Sequence, residues 1–108
     1  MDILIQADGV TLTEALKALI DDKIGRVEDL APRALRARVR LRKVSAHPSP
    51  RQYLVRVRVE IPGADLDAEQ SGPDALSALD VVAGKIERRL RKRKTERLAR
   101  RTRVKSRK

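Results

Sequence analysis

Apolar residues alternate with arginines in the middle of the chain, at a spacing of two residues. The run reads Leu35, Arg36, Ala37, Arg38, Val39, Arg40, Leu41 and Arg42. Successive side chains of a β-strand point to opposite faces, so the run predicts a strand with one apolar face and one face of four guanidinium groups. A second such strand follows the turn-rich residues 45–50, and its two faces are Tyr53, Val55, Val57, Val59 and Ile61 against Leu54, Arg56, Arg58 and Glu60.

Two shorter alternating segments predict the other strands of the same sheet. Residues 3–7 form the first, near the start of the chain. Residues 65–70 follow a Pro-Gly turn signal and form a weaker strand, with Leu66 and Ala68 on its apolar side. The acidic residues of this region are expected on the same open face as the arginines; they are Glu60, Asp65, Asp67 and Glu69.

Apolar residues at helical spacing predict an amphipathic helix from Leu12 to Asp29. Thr11 is the expected N-cap, and Glu14 three residues later completes a capping-box pattern. The helix is expected to end before Pro32. Its apolar stripe is Leu12, Leu16, Leu19, Ile20, Ile24, Val27 and Leu30.

A second helix is predicted after Ser71, with Pro73 at the first helical position and Asp74 next to the positive helix end. The apolar stripe of this helix is Leu76, Leu79, Val82, Ala83, Ile86 and Leu90. Beyond Leu90 the stripe meets cationic residues, so the helix is expected to extend past the core as a cationic rod.

The element order predicts an α+β fold, β-α-β-β-β-α, with a four-stranded sheet and two helices packed on one face. The right-handed crossover rule makes the first two strands parallel, and short connections make the others antiparallel. The opposite face of the sheet is left open and carries the arginines. We expect one domain at residues 1–97, followed by a basic tail at 98–108 that is disordered when free.

The charge of the chain is concentrated at one end. Residues 1–84 contain 12 Lys/Arg and 13 Asp/Glu, whereas residues 85–108 contain 14 Lys/Arg and two glutamates, which together give the net charge of +11. A cationic block of this density favours a polyanion, because each neutralised phosphate releases condensed counterions. Tyr53 is the only aromatic residue, so the chain is expected to contact backbone and shape rather than to select bases by stacking.

Two sets of basic residues are candidates for contact with nucleic acid. On the strands, cross-strand Arg–carboxylate pairs offer an equally good structural explanation, a solvated face without a ligand. On the second helix, like charges at i,i+3 and i,i+4 destabilise the helix, and the run is longer than capping needs. The candidates are Arg36, Arg38, Arg40, Arg42, Arg56 and Arg58 on the strands, and Lys85, Arg88, Arg89, Lys92, Arg93 and Lys94 on the helix.

No catalytic or metal-binding pattern is found in the sequence. The chain lacks Cys, and its single histidine, His47, lies in a Pro-rich turn without a companion ligand. Phosphate-binding loops, nucleophile elbows and metal-ligand spacings are missing, and no apolar run approaches the length of about 20 residues that a membrane span requires. We therefore expect a cytoplasmic protein that is not an enzyme and needs no cofactor, metal or small-molecule substrate.

Several segments resemble the ribosome hibernation-promoting factors, also called the ribosome-associated inhibitor or sigma-54 modulation protein family. The similarity spans residues 1–97, and the segments that carry it are Thr13-Glu14-Ala15-Leu16, Lys23-Ile24-Gly25-Arg26-Val27-Glu28, Asp74-Ala75-Leu76-Ser77-Ala78-Leu79-Asp80 and Leu90-Arg91-Lys92-Arg93-Lys94. The family has the same strand and helix order, similar to double-stranded RNA-binding domains. The resemblance implies that the 1–97 domain binds ribosomal RNA of the small subunit in the decoding channel, and that it silences idle ribosomes by excluding messenger and transfer RNA.

The resemblance also assigns residues by position. Lys23 and Arg26 match the family's basic pair in the first helix, and Lys92 and Lys94 match its Lys-x-Lys in the second. Leu76 stands where the family often has an aromatic residue, which we interpret as a core substitution. Longer members continue into a dimerisation domain, so this chain is expected to be monomeric unless it is part of a longer one.

Two other classes remain open at this point. A double-stranded RNA-binding module would use the same charge and would bind free duplex RNA. A nucleoid-associated protein is compatible with the charge as well, and competition with DNA would identify it. A membrane-surface role is less favoured, because the basic helix end offers only Leu90 and Leu98 for insertion.

Overall fold

The computed structural model describes the backbone of residues 1–106 and the side chains of residues 1–96. In chain order the elements are β1 (Asp2–Asp8), α1 (Glu14–Leu30), β2 (Arg36–Lys43), β3 (Tyr53–Glu60), β4 (Leu66–Gly72) and α2 (Ala75–Ser106). This order confirms the predicted β-α-β-β-β-α arrangement.

The four strands form one sheet in the order β1-β2-β3-β4. β1 and β2 are parallel and are joined by α1, whereas β2–β3 and β3–β4 are antiparallel. Both helices lie on the same face, where α2 packs against β3, β4 and α1, and α1 packs against β1. The other face has no covering element among the described residues.

Alternation in β2 and β3 places the core between the sheet and the helices. The sheet contributes the buried side chains Ala37, Val39, Leu41, Val55, Val57 and Val59. The helices contribute Leu16, Ile20, Ile24, Val27, Leu79, Val82, Ile86 and Leu90. Each large aliphatic side chain of this kind stabilises the fold by about 1.5–3 kcal/mol when fully buried, so the core anchors both helices to one face and fixes which residues the other face displays.

α1 begins two residues later than the capping-box pattern predicts. Its N-cap is Thr13, which has extended backbone angles (φ −77°, ψ 162°) and accepts a hydrogen bond from the Leu16 amide at 3.1 Å. Thr11 instead accepts a bond from the Thr13 amide through its carbonyl. The prediction of Thr11 as N-cap is therefore wrong, because Thr11 lies within the turn that leads to the cap.

α2 begins at Ala75, so Pro73 lies outside the helix and not at its first position. Asp74 caps the helix, with its Oδ1 accepting a bond from the Ser77 amide at 2.7 Å. The helix backbone continues to Ser106, through most of the stretch at 98–108 that the sequence predicts as a tail. The side chains from residue 97 onwards lie outside the described residues, and the division of the chain at residue 97 stays a prediction.

Several apolar residues of the predicted stripes are exposed. Leu12, Leu19 and Leu76 are 37%, 36% and 46% exposed. Leu12 precedes the helix, and Leu76 lies beside the stripe because Ala75, one turn before Leu79, takes the buried position. The interpretation of Leu76 as a core substitution is therefore wrong.

The start of the chain is tied to the end of α1. The amine of Met1 donates to Glu28 Oε1 at 2.8 Å, and this hydrogen bond raises the pKa of the amine above its usual value. No helix in the described part of the chain is both long and apolar enough to cross a membrane.

Candidate nucleic-acid interface

Six arginines project from the open face of the sheet, and we call them the sheet-face arginines. The side chains of the five that pair with a carboxylate are 41–55% exposed. They belong to the two central strands, where the register sets Arg38 opposite Arg58 and Arg40 opposite Arg56. The set is Arg36, Arg38, Arg40, Arg42, Arg56 and Arg58.

Carboxylates from three places in the chain pair with these arginines. Glu60, at the end of β3, is 3.0 Å from Arg36 and 3.1 Å from Arg38. Asp8, at the end of β1, is 3.5 Å from Arg40. The expectation that acidic residues share the arginine face is confirmed by these contacts.

The remaining pairs come from β4 and the turn before it. Asp67 is 3.6 Å from Arg56 and 3.9 Å from Arg58, and Asp65 is 3.2 Å from Arg58. Among the described residues, Arg42 is the one sheet-face arginine without a carboxylate within 4 Å. Register also places Asp2 and Glu69 on this face, opposite Arg36 and Arg56. The negative charges of the acidic residues on the open face therefore offset the positive charges of the arginines there.

Exposed ion pairs of this kind are weak, at about 0–1 kcal/mol each, and salt screens them. A guanidinium can leave a single carboxylate contact for a phosphate, to which it donates two parallel hydrogen bonds. The face is thus nearly neutral at a distance but can bind an anion on contact.

On α2 the cations divide into two groups. The first follows the i, i+4, i+8 spacing of one helix side and lies over the outer edge of β4; we call it the edge row. Lys85 donates to the carbonyl of Glu69 at 3.1 Å and to Gln70 Oε1 at 2.9 Å. Arg89 donates to the carbonyl of Asp67, and Arg93 donates to that of Ala64 at 3.1 Å.

The edge row has a structural explanation. β4 is the last strand of the sheet, and no described strand pairs with its outer edge. Backbone carbonyls left there need donors, and an open edge invites pairing with other chains. Lys85 and Arg89 supply those donors on β4, and Arg93 supplies one for Ala64 in the turn before it, so that together they hold α2 against this edge.

The second group consists of the other cations of α2 whose side chains are described, and we call it the outward group: Arg88, Arg91, Lys92 and Lys94. All four are exposed. In the described part of the chain their one carboxylate contact is between Arg91 and Glu87, at 3.9 Å. Arg91 is missing from the candidate set read from the sequence, although its position within the basic run of α2 would have indicated it. These side chains are the cations most available to a ligand.

The two candidates on α1 have acidic neighbours. Lys23 pairs with Asp80 and so links α1 to α2. Arg26 is 3.4 Å from Asp22, one turn earlier, and stays 62% exposed.

The outward group and the sheet-face arginines lie on opposite sides of the molecule, because the helices cover the face of the sheet opposite to the one that displays the arginines.

A family model described as "Sigma 54 modulation protein / S30EA ribosomal protein" matches residues 3–98 of this chain. Two curated proteins named ribosome hibernation promotion factor are similar to this chain. The one from Deinococcus radiodurans is 30% identical over 86 residues, covering 80% of this chain and 45% of that protein. The one from Staphylococcus aureus is 30% identical over 94 residues, covering 84% and 47%. The chain thus spans about half the length of the curated relatives that it matches.

Solved structures share the fold at lower identity. A ribosomal subunit interface protein from Coxiella burnetii superposes with a TM-score of 0.74 at 22% identity, covering 88% of this chain and 99% of that one. The N-terminal domain of Protein Y from Thermus thermophilus gives a TM-score of 0.72 at 19% identity, covering 85% and 98%. At this level of sequence identity, the structural similarity establishes the fold alone, which is the arrangement of the sheet and the helices.

Proposed function

The chain belongs to the Sigma 54 modulation protein / S30EA ribosomal protein family, and we propose that it is a cytoplasmic ribosome hibernation factor without enzymatic activity. It binds the small ribosomal subunit through ribosomal RNA in the decoding channel. Its folded body then occupies the space that messenger and transfer RNA need, and translation is inhibited while cells are idle.

The observation that carries this proposal is the outward group on α2. Its cations are exposed on a helix that the core holds rigidly through Leu79, Val82, Ile86 and Leu90. Unpaired charges on a rigid rod attract phosphates over about 8–10 Å at physiological salt, and each phosphate contact releases counterions. Such a surface suits the backbone of folded RNA.

The position of the second cationic surface supports steric blocking. Because the sheet-face arginines point away from the outward group, the body can contact RNA on two sides at once. A body between two RNA walls excludes other ligands without chemistry. This is why the proposed inhibition needs no catalytic group.

Sedimentation of the chain with ribosomes in a sucrose gradient tests the proposal. We expect the chain in the small-subunit fractions, and we expect messenger and initiator transfer RNA to be displaced from those subunits. Subunits that carry the chain and still accept both ligands would contradict it. Duplex RNA or DNA that competes as well as small subunits do would favour a general nucleic-acid-binding module.

Salt dependence tests the physical basis of binding. If about 6–10 phosphates are engaged, affinity should fall by about 10³–10⁵ between roughly 50 and 200 mM salt. A filter-binding titration measures this slope. An affinity that barely changes over the range would contradict an electrostatic contact.

A further inference from the structure

The open face of the sheet contains a shallow depression of about 280 Å³ over strands β1 to β3. Its size lies just below the range of about 300–1,000 Å³ that small-ligand sites occupy. The side chains that define it are Leu4, Gln6, Arg38, Arg40, Arg56 and Arg58.

Charge is unevenly distributed around this depression. In the two central rows of the register, arginine lies directly opposite arginine, and like charges in that position repel. The acidic residues of these rows, Asp67 and Glu69, lie on the far side, on β4. On the β1 side the rows end in uncharged Leu4 and Gln6. Each of the four arginines has a carboxylate within 4 Å, but no carboxylate lines the depression itself, so a ligand there meets only guanidinium groups and uncharged side chains.

Among the ion pairs of these four arginines, those of Arg40 and Arg56 are the most easily exchanged, whereas Arg38 is 3.1 Å from Glu60 and Arg58 is 3.2 Å from Asp65. Arg40 is 3.5 Å from Asp8, and Arg56 is 3.6 Å from Asp67. The participating side chains are 42–55% exposed. The guanidinium groups can donate bidentate hydrogen bonds to a phosphate in the depression, whereas none of the four contacts both oxygens of one carboxylate.

Leu4 and Gln6 give the depression an uncharged side. Leu4 is 47% exposed although it is a large apolar residue, and Gln6 beside it carries both an amide donor and an acceptor. An apolar surface next to an amide suits the face and edge of a nucleobase. Bases in a duplex are stacked on each other, so a base can lie on Leu4 only where the strand is single and the base is unstacked.

We propose that this depression holds one unstacked nucleotide of a single-stranded RNA segment. Its phosphate contacts the four arginines, and its base lies over Leu4 with an edge at Gln6. The inference rests on the proposed function in that it needs RNA as the partner. It adds a single-strand contact to the backbone contacts of the outward group.

NMR titration of the labelled chain with a short single-stranded RNA tests the proposal. We expect the largest shifts in the Nε–Hε signals of the four arginines and in the methyl groups of Leu4. Replacement L4A should weaken binding by about three- to tenfold, below the loss seen when an aromatic platform is removed. The control is L35A, because Leu35 is 59% exposed and lies outside the depression; it should change affinity less than about twofold if apolar contact is specific to the site.

Three outcomes would overturn the inference. Pyrophosphate that reproduces all the shifts, Leu4 included, would show an anion site without a base. Duplex RNA that gives the same shifts as the single strand would show a backbone contact. Equal affinities of the L4A and parent chains would remove the base from the site. Small-subunit binding is measured separately by sedimentation. A chain that does not sediment with small subunits but shows these NMR shifts would contradict the proposed function and not the single-strand contact.

Discussion

The open face of the sheet and the outer side of α2 both carry Arg or Lys, in different electrostatic settings. On the sheet, five of the six arginines have a carboxylate within 4 Å. On α2, the outward group has one carboxylate contact among the described residues, the 3.9 Å approach of Glu87 to Arg91. Counting basic residues alone would rank the sheet face, which has six, above the outward group, which has four.

The difference decides over what distance each surface acts. Paired charges cancel within a few ångströms, so the sheet face exerts little attraction until a ligand touches it. Unpaired charges act over a Debye length, which is about 8–10 Å at physiological salt. The outward group is therefore expected to attract and hold RNA, whereas the sheet face is expected to select the ligand that fits on contact.

The largest effect is expected from removing charge in the outward group. The variant R88Q/R91Q/K92Q should lose about 10²-fold in affinity for small subunits at roughly 100 mM salt, and its log–log salt slope should fall by about two to three. Folding should be retained because these side chains are exposed. Filter binding at several salt concentrations, with circular dichroism as the folding check, measures both.

The control is a variant with the same charge change elsewhere, K17Q/R33Q/R51Q, whose three residues are exposed and outside both surfaces. It should lose less than about tenfold, since only long-range attraction is reduced. Equal losses in the two variants would mean that net charge alone governs binding, and the comparison between the surfaces would have no functional meaning.

A second prediction separates the two groups of cations within α2. Arg88 and Arg89 are neighbours with the same charge, but Arg89 donates to the carbonyl of Asp67 and Arg88 belongs to the outward group. The variant R89Q should lower the free energy of unfolding by about 1 kcal/mol, because a carbonyl of the β4 edge loses its donor. The variant R88Q should leave it unchanged and should weaken RNA binding more.

Thermal unfolding and amide hydrogen exchange measure the first part of that prediction. Faster exchange in β4 of R89Q, with the parent rate in R88Q, is the expected pattern. If R89Q keeps the parent stability and loses RNA affinity as R88Q does, the edge row contacts RNA and the division within α2 is wrong.

The strand pattern was predictable because alternation reports directly on the face of a sheet. Every arginine from Arg36 to Arg42 at even positions, and both in β3, lies on the open face as expected. The helix stripes were less predictable. A residue such as Leu76 or Leu19 is next to the stripe on a helical wheel, and only the docking angle of the helix decides whether it is buried.

The sequence predicts that ion pairs form on the sheet face, but it does not predict which residues pair with each other. Arg58 pairs with Asp65, which lies in the turn before β4, and Lys23 pairs with Asp80 on the other helix. Contacts of this kind depend on register and on the distance between elements, which local spacing does not contain. The same holds for the edge row, because its spacing and strand β4 can both be predicted from the sequence, but the position of the row along the outer edge of β4 cannot.

The smallest expected effect comes from exposing the paired surface. Glu60 is the carboxylate that pairs with both Arg36 and Arg38, so E60Q should free two guanidinium groups without removing a cation. Affinity for single-stranded RNA should rise about three- to fivefold at roughly 100 mM salt, and the salt slope should steepen by about one. Fluorescence anisotropy with a labelled oligonucleotide measures both quantities.

The control for this increase is E14Q, which makes the same change of net charge at the exposed start of α1, away from the sheet face. A gain confined to E60Q would show that the sheet-face arginines touch RNA and that their carboxylates compete with phosphate. Equal gains in E60Q and E14Q would show that only net charge matters there. The sheet face would then be the solvated ion-pair surface that its composition also allows, and RNA binding would depend on the helical side alone.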